Sequence, residues 1–309
     1  MPAQEGLSAF AGHVTLAHPS FAVLLRQFGF AVPVPAALEA GQLAAFIDLT
    51  KGRSDVHFEA AGLAVDLALT RGLSGIMGEM DVKGENVLPL AQALGFAPTG
   101  VEEKWPVQVK GPVRWQESAF GFGPLAGSVR GKALSGDLVL MPERNRIEGR
   151  LSLSTLALED LVSLVTGPIQ PSTTGSFWSS ARFTDVTGQA VDLSVGLTMD
   201  QFVLGNDLSL GAVKLLLKRE AETLTLLLQD GLFGTGHLAG QMTMRRDGGR
   251  LGSTLRLSAR EIVLSDAWGV QNGVSGQIGF ELDAGSSGVS ITELISRSNG
   301  AGSFTWRQG

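Results

Sequence analysis

Histidines and carboxylates are the side chains in this sequence most able to do chemistry, but their spacing assembles no catalytic or metal site. The four histidines, His13, His18, His57 and His237, form no H-E-x-x-H motif and have no cysteine near them, so no metal site is predicted at any of them. His237 stands in a glycine-rich hairpin, where a turn or surface role is expected. The chain has no cysteine, so the sequence predicts neither disulfides nor thiolate chemistry.

The remaining candidate motifs lack the spacing or the flanking elements that their chemistry requires. The neighbouring carboxylates at 102–103 and at 159–160 point in different directions, and a role as surface charge or helix N-terminal charge is expected for them. Two glycine-rich segments, 121–127 and 234–240, have the wrong glycine spacing for a nucleotide loop and lie between predicted strands. No G-x-S-x-G motif occurs. The sequence therefore predicts a protein that is not an enzyme and that uses no metal or cofactor.

Composition favours many short strands joined by tight turns. The 309 residues are 44% hydrophobic and only 6% aromatic, and 41 of them are glycine, about twice the usual share of roughly 7%. The net charge of −6 and the scattered basic residues give no patch for nucleic acid. No apolar run reaches the roughly 20 residues of a membrane-spanning helix. The first residues, MPAQEGLSAF, do not form a signal peptide, so the sequence leaves a cytoplasmic protein and a piece of a longer chain as alternatives.

The segment 222–264 sets the pattern for most of the chain. Its apolar residues alternate with the two-residue period of a β-strand, and we expect reversals at Asp230-Gly231 and at Asp247-Gly248-Gly249. Similar alternation elsewhere predicts about 20 strands in all, among them one at 176–183. The sequence thus predicts a mainly β, mostly antiparallel fold.

About four short capped helices are expected between the strand blocks. The predicted helices cover 19–28, 86–94 with Asn86 as N-cap, Leu158–Thr166, and a stretch after Ser290, whose spacing to Glu293 is that of a capping box. The recurrence of strand block and helix favours an elongated array over a globule. We therefore expect one elongated β region over 1–309, with possible sub-blocks 1–100, 101–170 and 171–309.

Two blocks of sequence resemble the AsmA family of bacterial envelope proteins. One is the hairpin LTLLLQDGLFGTGHLAGQMTM followed by RLGSTLRLSAREIVL, and the other is GQIGFELDAGSSGVSITELISRSNGAGSFTWRQG. An earlier block, from HPSFAVLLRQFGF to MDVKGENVLPLAQALGF, looks like a second copy of the same strand-and-helix pattern. The family's N-terminal membrane anchor and its usual strands after the last helix are absent here, which leads us to expect a segment of a longer protein.

The resemblance implies a long, curved β-sheet with a hydrophobic groove, in a periplasmic protein that is anchored in the inner membrane. It also implies a function in guiding phospholipid between the inner and outer membranes or in supporting outer-membrane assembly, as in related bridge-like lipid transfer proteins. The implied partners are phospholipid or another acyl lipid and, with it, inner- and outer-membrane proteins.

Periodicity alone leaves two alternatives for the apolar side of the sheet. An apolar face must be covered, and helices of about 15 Å each are too short to cover so many strands. Either the leucines form the dry core of a structural or adhesive β-repeat protein, or they line a groove for acyl chains; the family resemblance favours the groove. The candidate groove residues are Leu151, Leu153, Leu193, Val195, Leu197, Leu224, Leu226, Leu228, Met242, Met244, Leu255, Leu257, Ile278 and Phe280.

Overall fold

The computed structural model of the chain divides into two compact units. The first unit comprises Met1–Phe96 and Glu102–Leu151, and the second comprises Ala97–Val101 and Ser152–Gly309. The residues that the structure describes are 11–18, 41–48, 52–60, 62–72, 75–88, 91, 104–116, 118–166, 179–183, 191–205, 208–263 and 276–307.

The first unit is an antiparallel sheet in which each strand pairs with the next strand in sequence. Glycines with positive φ close two of its hairpins, Gly62 between the third and fourth strands and Gly131 between the seventh and eighth. Its strands are β1 (Ala11–His18), β2 (Gly41–Asp48), β3 (Arg53–Ala60), β4 (Leu63–Gly72), β5 (Gly75–Gly84), β6 (Val107–Gln116), β7 (Ala119–Val129) and β8 (Lys132–Met141).

After a 3₁₀ turn at Pro142–Arg144, β9 (Arg146–Ala157) begins in the first unit and ends in the second. Within the second unit, each strand also pairs with the next strand in sequence. Its strands are β10 (Asp192–Gly205), β11 (Leu208–Glu220), β12 (Thr223–Phe233), β13 (Gly236–Asp247), β14 (Arg250–Val263), β15 (Gln277–Gly288) and β16 (Asn299–Arg307).

One of the two predicted reversals is confirmed, and the other is misplaced. Asp247 pairs with Arg250 across the turn at Gly248, which has a φ of 55°. The reversal expected at Asp230-Gly231 instead follows Phe233, because Gly231 lies within β12, where the register shifts. The Asp-Gly pair thus accompanies a shift of register within the strand rather than a turn.

The prediction of about four helices is wrong for the described part of the chain, in which two α-helices are described over their whole length. Helix α1 spans Leu158–Thr166, as expected, and α2 spans Ile291–Ser296. Ser290 caps α2 by accepting a hydrogen bond from the Glu293 backbone N–H, and the Glu293 carboxylate accepts one from the backbone N–H of Val289. Neither of these helices combines the length and apolar composition that crossing a bilayer requires.

The other two predicted helices fall partly or wholly outside the described residues. The helix expected at 19–28 lies outside them. Near 86–94, Leu88 and Ala91 are helical, and the Asn86 side-chain oxygen accepts hydrogen bonds from the backbone N–H groups of Leu88 at 3.2 Å and Trp105 at 3.0 Å. Asn86 therefore acts as the predicted cap.

The strand predicted at 176–183 is also wrong for its described residues. Between 179 and 183 the only β pairing is an isolated bridge from Arg182 to Ser290. The described residues form 16 strands in total, against the roughly 20 that the alternation predicted for the whole chain.

Candidate functional site

Pairing register places the predicted groove residues of β10–β15 on one face of the sheet of the second unit. Residues directly opposite each other in an antiparallel pair point to the same side. Val195 lies opposite Leu217, and Leu217 lies opposite Leu226. Leu226 in turn lies opposite Met242, which lies opposite Leu255. Five strands thus contribute one continuous apolar row.

Further rows on the same side contain the other candidates of β10–β15. One row runs from Leu197 through Leu215 to Leu228, and after Gly240 it reaches Leu257 and Leu282. The remaining members follow from two-residue steps and from direct pairing: Leu193, Leu224, Met244, Ile278 and Phe280. We call this set of rows the second apolar face.

The candidates on this face differ in burial. Leu224 is fully buried, with an exposed fraction of 0%, whereas the others range from buried to half-buried. The buried candidates are Leu193, Val195, Leu197, Leu224, Leu226, Leu228, Met244 and Ile278. The half-buried ones are Met242, Leu255, Leu257 and Phe280. Most of the β10–β13 residues therefore form a packed core, and access to apolar atoms increases toward β14 and β15.

Both α-helices cover one end of the second apolar face. Helix α1 packs on β10, β12 and β13, and Arg246, two residues beyond Met244, donates a hydrogen bond of 2.8 Å to the Val165 carbonyl near the end of α1. The Ser286 hydroxyl donates to the Leu294 carbonyl in α2. These polar contacts satisfy backbone carbonyls of both helices above the sheet.

Arg219 is a charged residue buried in the second apolar face. It lies opposite both Leu193 and Leu224, and only 3% of it is exposed. Burial lowers the pKa of its guanidinium, while the charges of Glu222 and Asp192 act in the opposite direction. The alternating pattern predicted an apolar face here, and only the register reveals that it contains an arginine.

The two candidates in β9 are half-buried. Leu151 belongs to the first unit, and its Cα would lie 2.9 Å from a Cβ built on Gly136 of β8. Leu153 belongs to the second unit. Leu151 therefore lies next to a strand of the first unit, whose own apolar residues were not among the predicted ones.

A second apolar surface, which the sequence analysis missed, lies on the first unit. Val56 lies opposite Leu67, and Leu67 lies opposite Met80; all three are partly exposed. A neighbouring row runs across four strands: Phe58, Val65, Val82 and Val109. We call these rows the first apolar face. The signal that could have found it is the tight turn at Gly62, because a turn between two alternating strands fixes which residues face each other.

The opposite side of the same strands is a polar face. His57 and Asp66 lie opposite each other, with 2.7 Å between His57 Nδ1 and Asp66 Oδ1. Lys83 and Lys110 each place Nζ at 2.9 Å from Asp81 Oδ2. Hydrogen bonds from Lys83 and Lys110 lower the pKa of Asp81. A depression of about 550 Å³ opens on this face, and its lining includes His57, Asp66, Asp81 and Lys110.

His237 makes a contact that its sequence neighbourhood did not predict. Its Nδ1 lies 2.9 Å from Asp230 Oδ1, and both side chains are exposed. The hydrogen bond with His237 lowers the pKa of Asp230. Within the described residues, no three His, Cys, Asp or Glu side chains converge as metal ligands. The His237–Asp230 pair is a direct contact between exposed side chains of β12 and β13.

Glu159 and Asp160 lie in the first turn of α1. This helix N-terminal position is one of the two roles expected for these adjacent carboxylates.

Comparison of the chain with protein-family models, curated proteins and solved structures finds no match. The two apolar faces, one largely buried and one partly exposed, are therefore the candidate functional surfaces.

Proposed function

We propose that this protein is a non-enzymatic, AsmA-like component of the bacterial envelope that binds phospholipid acyl chains on its sheet and guides the lipid between the inner and outer membranes. In the cell, this activity would support the assembly of the outer membrane. The periplasmic location, the curved groove and the membrane-protein partners belong to the proposal. The sequence resemblance to the AsmA family motivates it.

The observation that supports acyl-chain binding most directly is the partial exposure of the first apolar face. Val56, Leu67 and Met80 occupy neighbouring strands and each retains contact with solvent. Strands are spaced about 4.8 Å apart, so this row alone spans about 10 Å. A contiguous, partly exposed apolar row supports a role in binding an apolar ligand, because its contact with water is unfavourable.

A lipid chain fits the chemistry of this face. Each methylene group that moves from water onto apolar side chains contributes about 0.8 kcal/mol. The row offers aliphatic and thioether side chains with no charged group between them, so a chain gains similar free energy at each position along it. Weak, repeated contacts of this type permit movement along the sheet, while the polar face stays hydrated.

A second candidate function is a structural β-repeat protein with a dry core. The complete burial of Leu224, together with the packing of α1 on β10, β12 and β13, favours it for the second unit. In that case the leucines contribute only to stability. The two functions make different predictions for the partly exposed residues of the first unit.

The test compares adjacent positions on opposite faces of β4. A photo-crosslinking amino acid replaces Leu67 on the apolar face or Ala68 on the polar face, and the purified chain is extracted and analysed by mass spectrometry for lipid adducts. We expect phospholipid adducts at 67 and none at 68. Native mass spectrometry of the unmodified chain should also show bound phospholipid.

A double variant, Leu67→Gln with Met80→Gln, should reduce the copurifying phospholipid by at least about tenfold, whereas Ala68→Gln should not. Circular dichroism establishes that each variant is folded. A ligand-free mass for the folded wild-type chain, with no adduct at either position, refutes lipid binding and leaves the dry-core function.

A further inference from the structure

Exposed apolar side chains cluster at one end of the first unit, where the β4–β5 and β6–β7 hairpins turn. Pairing brings Ile76 opposite Trp115 and Met77 opposite Arg114, and Arg71 pairs with Ile76. Val139 joins the Met77 row through Gly121. We call this end, formed by Arg71, Met77, Arg114, Trp115 and Val139, the rim.

The rim exposes apolar groups on both faces of the sheet. Trp115, on the apolar face, is 43% exposed, and its ring stacks on Phe120 with 5.4 Å between centroids. Met77 and Val139, on the polar face, are 47% and 38% exposed. A ligand that covers only one side of the sheet does not account for this arrangement, because the exposed groups form a band around the sheet end.

Each face of the rim also has an exposed arginine. Arg71 shares its row with Trp115, and Arg114 lies between Met77 and Val139 in the opposite row. Neither guanidinium forms an ion pair with any residue that the structure describes. Each face therefore combines a positive charge with an apolar group at the same level of the sheet.

We propose that the rim docks on the surface of a bilayer that contains anionic phospholipid. Trp115 has the amphipathic ring that the headgroup region accommodates, because its body is apolar and its indole N–H is polar. Arg71 and Arg114 complement the negative lipid phosphates. A band with these groups on both sides matches a sheet end that enters the interface end-on. This inference is independent of acyl-chain binding on the first apolar face.

Flotation of the full 309-residue chain with vesicles tests the docking. Wild-type protein should float with vesicles of equal parts phosphatidylglycerol and phosphatidylcholine, and much less with phosphatidylcholine alone. Replacing both rim arginines (Arg71→Gln with Arg114→Gln) should lower the partition coefficient about 30-fold, because each basic side chain near an anionic surface contributes about one kcal/mol. Trp115→Ala should lower it about tenfold. Added salt should weaken the wild-type partition.

A matched control removes an exposed tryptophan and an exposed arginine from the second unit, in the variant Trp306→Ala with Arg260→Gln. Trp306 is 59% exposed, more than Trp115. The control should float like the wild type, and so should Leu67→Gln with Met80→Gln, which separates docking from acyl-chain binding. A wild type that does not float with anionic vesicles, rim variants that float as the wild type does, or equal losses in rim and control variants would each overturn the proposal.

Discussion

Replacing Gly127 by alanine tests the strand spacing on which the first apolar face depends. Gly127 lies in β7 opposite Val109 of β6, and its own pair in β8 is Leu134. It therefore occupies a place in the apolar row that would otherwise hold a side chain. A Cβ at this position would lie 2.0 Å from the Gln108 carbonyl oxygen and 2.7 Å from the Val109 Cα.

The size of the expected effect follows from these two distances. Ordinary contact begins near 3.4 Å, so β6 and β7 must separate by more than an ångström at this point. Overpacking that side chains relieve costs about 1–3 kcal/mol. Here the obstacles are backbone atoms of Gln108 and Val109, which cannot rotate away, so we expect the variant to lose about 3 kcal/mol of unfolding free energy.

Gly121→Ala is the matched control because it changes the same residue type in the same strand. A Cβ on Gly121 meets only the Arg114 carbonyl oxygen, at 3.9 Å. Both replacements reduce the conformational entropy of the unfolded chain equally, by about 0.4–1 kcal/mol. The difference between the two variants therefore isolates the clash, and the control alone should be neutral or slightly stabilising.

Urea unfolding monitored by circular dichroism gives the free energies, and hydrogen exchange with mass spectrometry locates the change. We expect faster exchange in peptides that cover β6 and β7 for Gly127→Ala but not for Gly121→Ala. If the two variants differ by less than about 0.5 kcal/mol, with unchanged exchange in β6 and β7, then the close approach of these strands and the row built on it are wrong.

Two further perturbations probe the core and the polar face. Leu224→Ala should cost about 2–5 kcal/mol of unfolding free energy, because the side chain is fully buried, whereas Leu282→Ala, at 36% exposed, should cost less than about 1 kcal/mol; equal losses in chemical denaturation would contradict the assigned core. Lys83 and Lys110 lower the pKa of Asp81 in the folded protein from its ordinary value of 3.8. The two lysines therefore stabilise the fold fully at a pH above 3.8, and this stabilisation is lost as the pH falls through the lowered pKa. Both lysines are exposed, so the effect should be small. Asp81→Asn should therefore show a slightly smaller acid loss of stability than wild type in denaturation series at several pH values, and an identical acid loss would refute this.

Much of the second unit could be predicted because alternation and turns agree there. The Asp-Gly turn after β13 pairs Asp247 with Arg250, and from that one pair the positions of Met242 and Leu255 follow by counting. Side chains in strands repeat every two residues, so a correct turn is enough to assign whole faces. This is why the predicted residues of β10–β15 share a side of the sheet.

Bulges and burial could not be predicted by the same counting. The register shifts between Leu228 and Gly231 and again between Ala259 and Ile262, and each shift realigns the residues that follow. The burial of a strand residue depends on whether a helix packs over it, and the alternation of apolar residues does not predict the position of the helices. Leu226 illustrates the consequence, because it is only 4% exposed, and a charge placed there would unfold the protein rather than report on lipid binding.

The choice between a lipid groove and a dry core is therefore made strand by strand rather than for the chain as a whole. Identical alternation produces Leu224, which no ligand reaches without unfolding, and Leu67, which is partly in contact with solvent. An acyl chain gains free energy only from surface that water still touches. The proposed mechanism therefore predicts that phospholipid binding depends on Leu67 and Met80 far more than on Leu224, even though the sequence presents all three in the same pattern.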